Sequence, residues 1–184
     1  MISRPTTNES IDRSRSNSWI RRYFCKASDI VRTPCNYFRM KTVTDRDIAG
    51  IPARNLRVSR EVFGEFWREA EAYSAAQTAA GRPSWRAGGL VIACRWVACS
   101  TTDVNGWRSL ALRPITGGTP VAYEELIEAE YVAAEILAAR DPATRRYADR
   151  PGYVEAVCAV LQWAWRRNGP RPVIDPTAAV SAAS

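Results

Sequence analysis

The chain has 184 residues, 46% hydrophobic and 24% charged, with 10 Gly and 11 Pro. That suffices for one ordinary domain with tails and excludes collagenous, fully disordered and disulfide-scaffold classes. The net charge is +7 and histidine is absent, which removes Ser-His-Asp and Cys-His catalysis, imidazole proton shuttles and every His-containing zinc site.

Residues 1–57 show no sustained helical or strand period and carry Pro5, Pro34 and Pro52 as breakers. They read as a basic, largely disordered arm or linker. Residues 1–41 hold nine Lys/Arg against three acids, or +6, whereas residues 42–170 hold 16 Arg against 15 acids, or +1. The charge therefore sits in the arm. Arg13, Arg15, Arg21, Arg22 and Lys26, with Trp19 and Tyr23 between them, are its nucleic-acid candidates, because cations neutralise phosphates and aromatic rings stack on bases. Met40 is one of two methionines, and translation from it would delete most of the arm.

A helical domain is expected over 58–169. Its first helix begins after Ser59, an N-cap with Glu61 in the first turn, and ends near Ala79 before Gly81. Val62, Phe63, Phe66, Ala70 and Tyr73 share its apolar face. Ser84 caps a second helix running to about Cys99 that is apolar nearly all round, the pattern of an element enclosed by others. Arg95 is the one charge in its apolar run of 13 residues, 87–99, which is too short to span a bilayer.

Residues 100–119 carry turn residues around a short apolar stretch and read as a loop with one small strand or hairpin. Thr119 and Pro120 supply an N-cap and first-position proline for a third helix through Ala139. Tyr123, Leu126, Ile127, Ala134 and Leu137 form its apolar face, and Glu130 projects from the middle of that face. A fourth helix begins at Asp149 or Pro151 and ends at Asn168-Gly169-Pro170, with Val154, Val157, Cys158, Leu161 and Trp165 on one face. Residues 170–184, rich in Pro, Ala and Ser, read as a short disordered tail. The fold class is all-α: a single, four-helix bundle-like domain.

Few positions offer chemistry. A carboxylate at Glu130 must be paired, protonated or facing a polar cavity, since an unpaired buried charge is costly. Arg95 is its expected partner, and a structural pair is favoured over a general acid in a pocket. The acidic rows Glu61/Glu65/Glu69 and Glu124/Glu128/Glu135 fit solvated helix faces better than a metal site. The glycine pairs 88–89 and 117–118 lack any phosphate-loop context and fit close helix packing and a turn. The five cysteines (Cys25, Cys35, Cys94, Cys99 and Cys158) contain no CxxC pair, so reduced thiols are expected, with Cys94 and Cys158 in the core.

Trp163 falls away from Val154, Leu161 and Trp165 on the helical wheel and shares its side with Arg167. Either another segment covers it, or it forms an exposed anchor with Arg166 and Arg167, residue types enriched at binding hot spots. The expected function is non-enzymatic association with a protein partner or a second copy. Nucleic-acid binding through the arm is the alternative, and an enzyme built on Arg95 and Glu130 is a third. No cofactor, catalytic residue or membrane contact is expected, and the compartment read from cysteine usage and the missing leader is the cytoplasm.

Overall fold

The computed structural model describes residues 42–104, 107–118 and 121–175. Arg13, Arg15, Trp19, Arg21, Arg22, Tyr23 and Lys26 lie outside them. The described chain is mostly helical, with five α-helices and one short β-hairpin.

Folded structure begins before residue 58. Helix α1 (Asp45–Ala49) starts with a complete capping box, in which Thr44 accepts from the Asp47 amide and the Asp47 side chain accepts from the Thr44 amide. A 3-10 turn (Ala53–Asn55) follows, and Val43, Ile51, Asn55 and Leu56 are buried. Residues 42–57 thus belong to the domain rather than to an arm. They are too short to show a period, and their apolar side chains order them by docking on the next helix.

Helix α2 (Arg60–Ala79) is capped by Ser59, whose hydroxyl accepts from the Val62 amide. It ends with Gly81 at positive φ, where the Gly81 amide donates to Thr78 O and the Arg82 amide to Gln77 O. Its buried face is Phe63, Phe66, Trp67 and Ala70, while Val62 stays exposed. At Gly64 a Cβ would lie 2.4 Å from Ile48 Cδ1, so the missing side chain is what seats α1 on α2.

Helix α3 (Trp85–Val97) starts at the Ser84 cap and is buried on nearly every side, as its all-round apolar sequence indicates. It packs on α2 and on α5 (Tyr153–Leu161), which in turn packs on α4 (Glu124–Ala138). At Gly89 a Cβ would lie 2.7 Å from Tyr153 O, so this glycine sets the α3–α5 approach; Gly88 faces no such neighbour.

Strands β1 (Thr101–Val104) and β2 (Trp107–Leu110) form an antiparallel ladder between α3 and α4, with Thr101 opposite Leu110. Gly117 and Gly118 both have positive φ in the turn that follows. Helix α4 starts later than Thr119-Pro120 implies: its N-cap is Tyr123, with no side-chain cap, and residues 119–120 lie outside the described set. Helix α5 continues into a π-helical turn, Gln162–Arg166, which ends at Arg167 with φ 55°. Residues 170–175 also pack on the domain rather than forming a loose tail. Pro172 is buried, Arg171 Nη2 meets Glu69 Oε1 at 2.7 Å, and Arg86 Nη2 donates to Val173 O at 2.6 Å. No helix among the described residues is long and apolar enough to cross a membrane.

Candidate functional site

Arg95 and Glu130 are both buried, but they do not pair with each other. Arg95 meets Glu71 across the α2–α3 contact in a two-point fork, Nε to Oε1 at 2.6 Å and Nη2 to Oε2 at 2.7 Å. Trp67 Nε1 adds a third donor to Glu71 at 3.0 Å. In sequence, Glu71 merges with the acidic side of α2. It lies one helical turn beyond Trp67 at the edge of the apolar face, and that spacing is the only signal it gives.

Glu130 is fully enclosed by the loop that follows the hairpin. Oε1 accepts from the Ile115 and Thr116 amides at 2.5 and 2.9 Å, and Oε2 accepts from Thr116 Oγ1 at 2.7 Å and Arg113 Nε at 3.1 Å. Arg113 Nη2 also lies 3.0 Å away. A carboxylate so fully donated to is a clasp holding residues 113–116 on α4, and it has no exposed oxygen for chemistry. Helical spacing reveals its depth but not its partner, because the donors come from a loop. Two tyrosines brace the same loop from α5 and the segment before it: Tyr153 donates to Pro114 O at 2.8 Å and Tyr147 to Ile115 O at 2.9 Å. Burial raises the pKa of both phenols, with each neighbouring negative charge adding to it.

Asn55 is a third interior clasp that sequence reading misses. Its Nδ2 donates to Val97 O at 2.8 Å and Ala122 O at 3.1 Å, tying the 3-10 turn to the end of α3 and the start of α4. Cys99 sits beside it in the left-handed conformation that closes α3, with φ 52°. Burial pushes the Cys94 thiol well above its ordinary pKa, and also raises Cys158 and Cys99. At Cys94 and Cys99 burial outweighs the opposing pull of Arg95 and Arg54, so the protonated thiol is favoured.

Trp163 is not an exposed anchor. It is buried against α2, stacked on Phe63 at 6.1 Å and edge-on to Phe66 at 5.0 Å. It still stands opposite Trp165 on the last helix, and α2 covers that side, so of the two alternatives cover by another segment is the one observed. Arg166 and Arg167 do reach the surface, and they meet Arg57, Glu128 and Trp165 around an open recess of about 410 Å³. The Arg57 guanidinium lies 4.1 Å over the Trp165 ring. Glu128 accepts from Trp165 Nε1 at 2.8 Å through Oε2 and from Arg166 Nη2 at 2.5 Å through Oε1. Arg166 also covers Tyr131 at 5.0 Å. Arg57 is held by Arg54 O at 3.1 Å and by Glu124 at 3.3 Å. Arg167 is exposed and makes no hydrogen bond or ion pair with the described residues.

The recess is thus built from three places distant in sequence. Arg57 comes from the segment before α2, Glu128 from α4 and the rest from the end of α5. Arg57 and Glu128 give no sign of this role in the sequence, since each reads there as an ordinary charged residue. Among the described residues, no group of three or more His, Cys, Asp or Glu could hold a metal ion. No protein family, curated protein or solved structure matches this chain.

Proposed function

We propose that the chain is a small, non-enzymatic, four-helix bundle-like protein that acts by association, and that the recess around Trp165 binds an acidic segment of a protein partner. The observation that carries this reading is Arg167. The chain places this residue at the left-handed cap that closes α5, exposed at the rim of a recess where it has no hydrogen bond or ion pair with the described residues. Arg57 and Arg166 line the same recess, both about 40% exposed as side chains, so three arginines border one opening. Glu128 is already occupied by Trp165 and Arg166, which leaves the rim with a positive balance. Planar guanidinium donors favour carboxylates, and a stacked Trp–Arg floor suits a peptide backbone.

The two interior carboxylates support a non-enzymatic reading, because each is consumed by bonds that hold elements together. The test is a titration of tryptophan fluorescence with a short poly-glutamate peptide at low ionic strength. Saturable binding that weakens in high salt and is lost in Arg167→Glu is expected; equal binding by wild type and variant would refute the reading. The charge of residues 1–41, +6 of the total +7, favours a second reading, nucleic-acid binding through that segment. Salt-dependent binding to single-stranded DNA should then vanish on deleting residues 1–39.

A further inference from the structure

The outer face of α4 carries a second surface, separate from the Arg167 rim. Ala129, Val132 and Ile136 are all exposed, with Val132 38% and Ile136 54% accessible, and their spacing of three and four residues places them in one stripe along the helix. Glu125 lies one turn before the stripe and Arg140 directly after the helix end, both exposed. Neither makes an ion pair with the described residues. The other acids of α4 do not share that freedom. Glu124, Glu128 and Glu130 are held by Arg57, Arg166 and Arg113, and Glu135 accepts the Tyr131 hydroxyl.

We infer that this stripe is the seam of a two-fold dimer, in which α4 packs antiparallel on α4 of a second copy. The assignment rests on the reading that the chain acts by association, and it names a second copy as the occupant of this face. Two antiparallel helices bring together residues whose numbers sum to a constant. Setting Ala129 opposite Ile136 puts Val132 beside its own symmetry mate and Glu125 opposite Arg140 of the second copy, twice over. An acidic start and a basic end flanking an apolar stripe are therefore self-complementary under a two-fold axis, as an isologous interface requires. The small Ala129 leaves room for Ile136 to insert, and the antiparallel helix dipoles oppose favourably.

One helix per side buries less than the ~1,200 Å² of a standard interface, so association should be weak, with a Kd on the order of 100 μM. Sedimentation equilibrium of the full chain, over concentrations up to about 1 mM, reads the monomer–dimer balance. Wild type should dimerise, and Ile136→Glu should stay monomeric with unchanged circular dichroism. Glu125→Arg and Arg140→Glu should each raise Kd roughly tenfold by setting like charges opposite one another, and the double variant should restore it. A wild-type chain that stays monomeric would overturn the inference. So would a dimer indifferent to Ile136→Glu, one lost instead in Arg167→Glu, or a charge swap that fails to restore pairing. Seam variants should leave the poly-glutamate titration at the recess unchanged, so the two readings fail separately.

Discussion

The interior and the Trp165 recess use the same residue types to opposite ends. Inside, Glu71 and Glu130 each accept three or more donors, and both are enclosed. At the recess, Glu128 accepts two donors and stays partly exposed, while Arg167 accepts no internal restraint at all. A buried carboxylate must be saturated, since every unmet oxygen costs desolvation, and saturation leaves nothing for a ligand. A surface carboxylate is under no such demand. Unspent donor capacity is therefore the mark that separates a binding surface from architecture, and counting charged residues does not reveal it.

That contrast predicts that damage to the interior shows as lost stability and damage to the recess as lost binding. Glu71→Ala should have the largest effect, because it removes a two-point fork from an Arg95 that is only 5% exposed. Removing one partner of a buried pair costs about 3–5 kcal/mol, readable as a lowered denaturant midpoint with an unchanged slope. Glu130→Gln should cost about 1–3 kcal/mol, since an amide keeps the shape but meets Arg113 with one fewer acceptor. Amide exchange at Ile115 and Thr116 should quicken in that variant, because a clasp weakened at Arg113 lets the loop that carries them open more often. A Glu130→Gln chain with wild-type stability would move Glu130 out of the architectural class.

Tyr131 extends the comparison to pH. Burial, together with the hydrogen bond and negative charge of Glu135, pushes its phenol up to about 12 from an ordinary value near 10. The folded state therefore keeps a proton that the unfolded chain gives up. The stabilisation is complete below about pH 10 and is lost as pH rises towards 12. Tyrosinate absorbance should rise late and together with the loss of helical circular dichroism. A Tyr131→Phe chain should lose part of that alkaline slope, and an identical slope would show that Tyr131 titrates freely.

Much of the helical frame was legible in the sequence. Ser59, Ser84 and Gly81 mark helix ends by local hydrogen bonding, which neighbouring residues alone determine. The enclosed position of α3 follows from its all-round apolar pattern, and Gly89 from the need for a close crossing. What escaped the sequence was set by tertiary contact. The segment 42–57 has no period because its order comes from Ile48 seating on Gly64. Arg95 and Glu130 were recognisable as buried charges, but their partners Glu71 and Arg113 depend on helix rotation and loop path. The wheel placed Trp163 opposite Trp165 and left its cover open, because the position of α2 over that side is a tertiary fact that one helix's pattern does not hold. The π turn that ends α5 carries Arg166, with Arg167 as its cap, so a local irregularity that periodicity does not show lies at the candidate site.

The smallest expected effect tests the comparison most sharply. Glu128 and Arg166 are joined at 2.5 Å but are 38% and 42% exposed as side chains. Solvent screens such a pair, and immobilising the side chains costs entropy, so a double-mutant cycle of Glu128→Gln and Arg166→Gln should give a coupling of about 0.2–1 kcal/mol. Both single variants should unfold near the wild-type midpoint while shifting the poly-glutamate titration in opposite directions. Glu128→Gln removes a competing carboxylate and should tighten binding, whereas Arg166→Gln removes a donor and should weaken it. A coupling of about 3 kcal/mol or more, the scale of a buried pair, would mean that the recess holds the end of α5 in place as Glu71 holds Arg95. The recess would then be architecture, and only Arg167 would remain as a free donor at its rim.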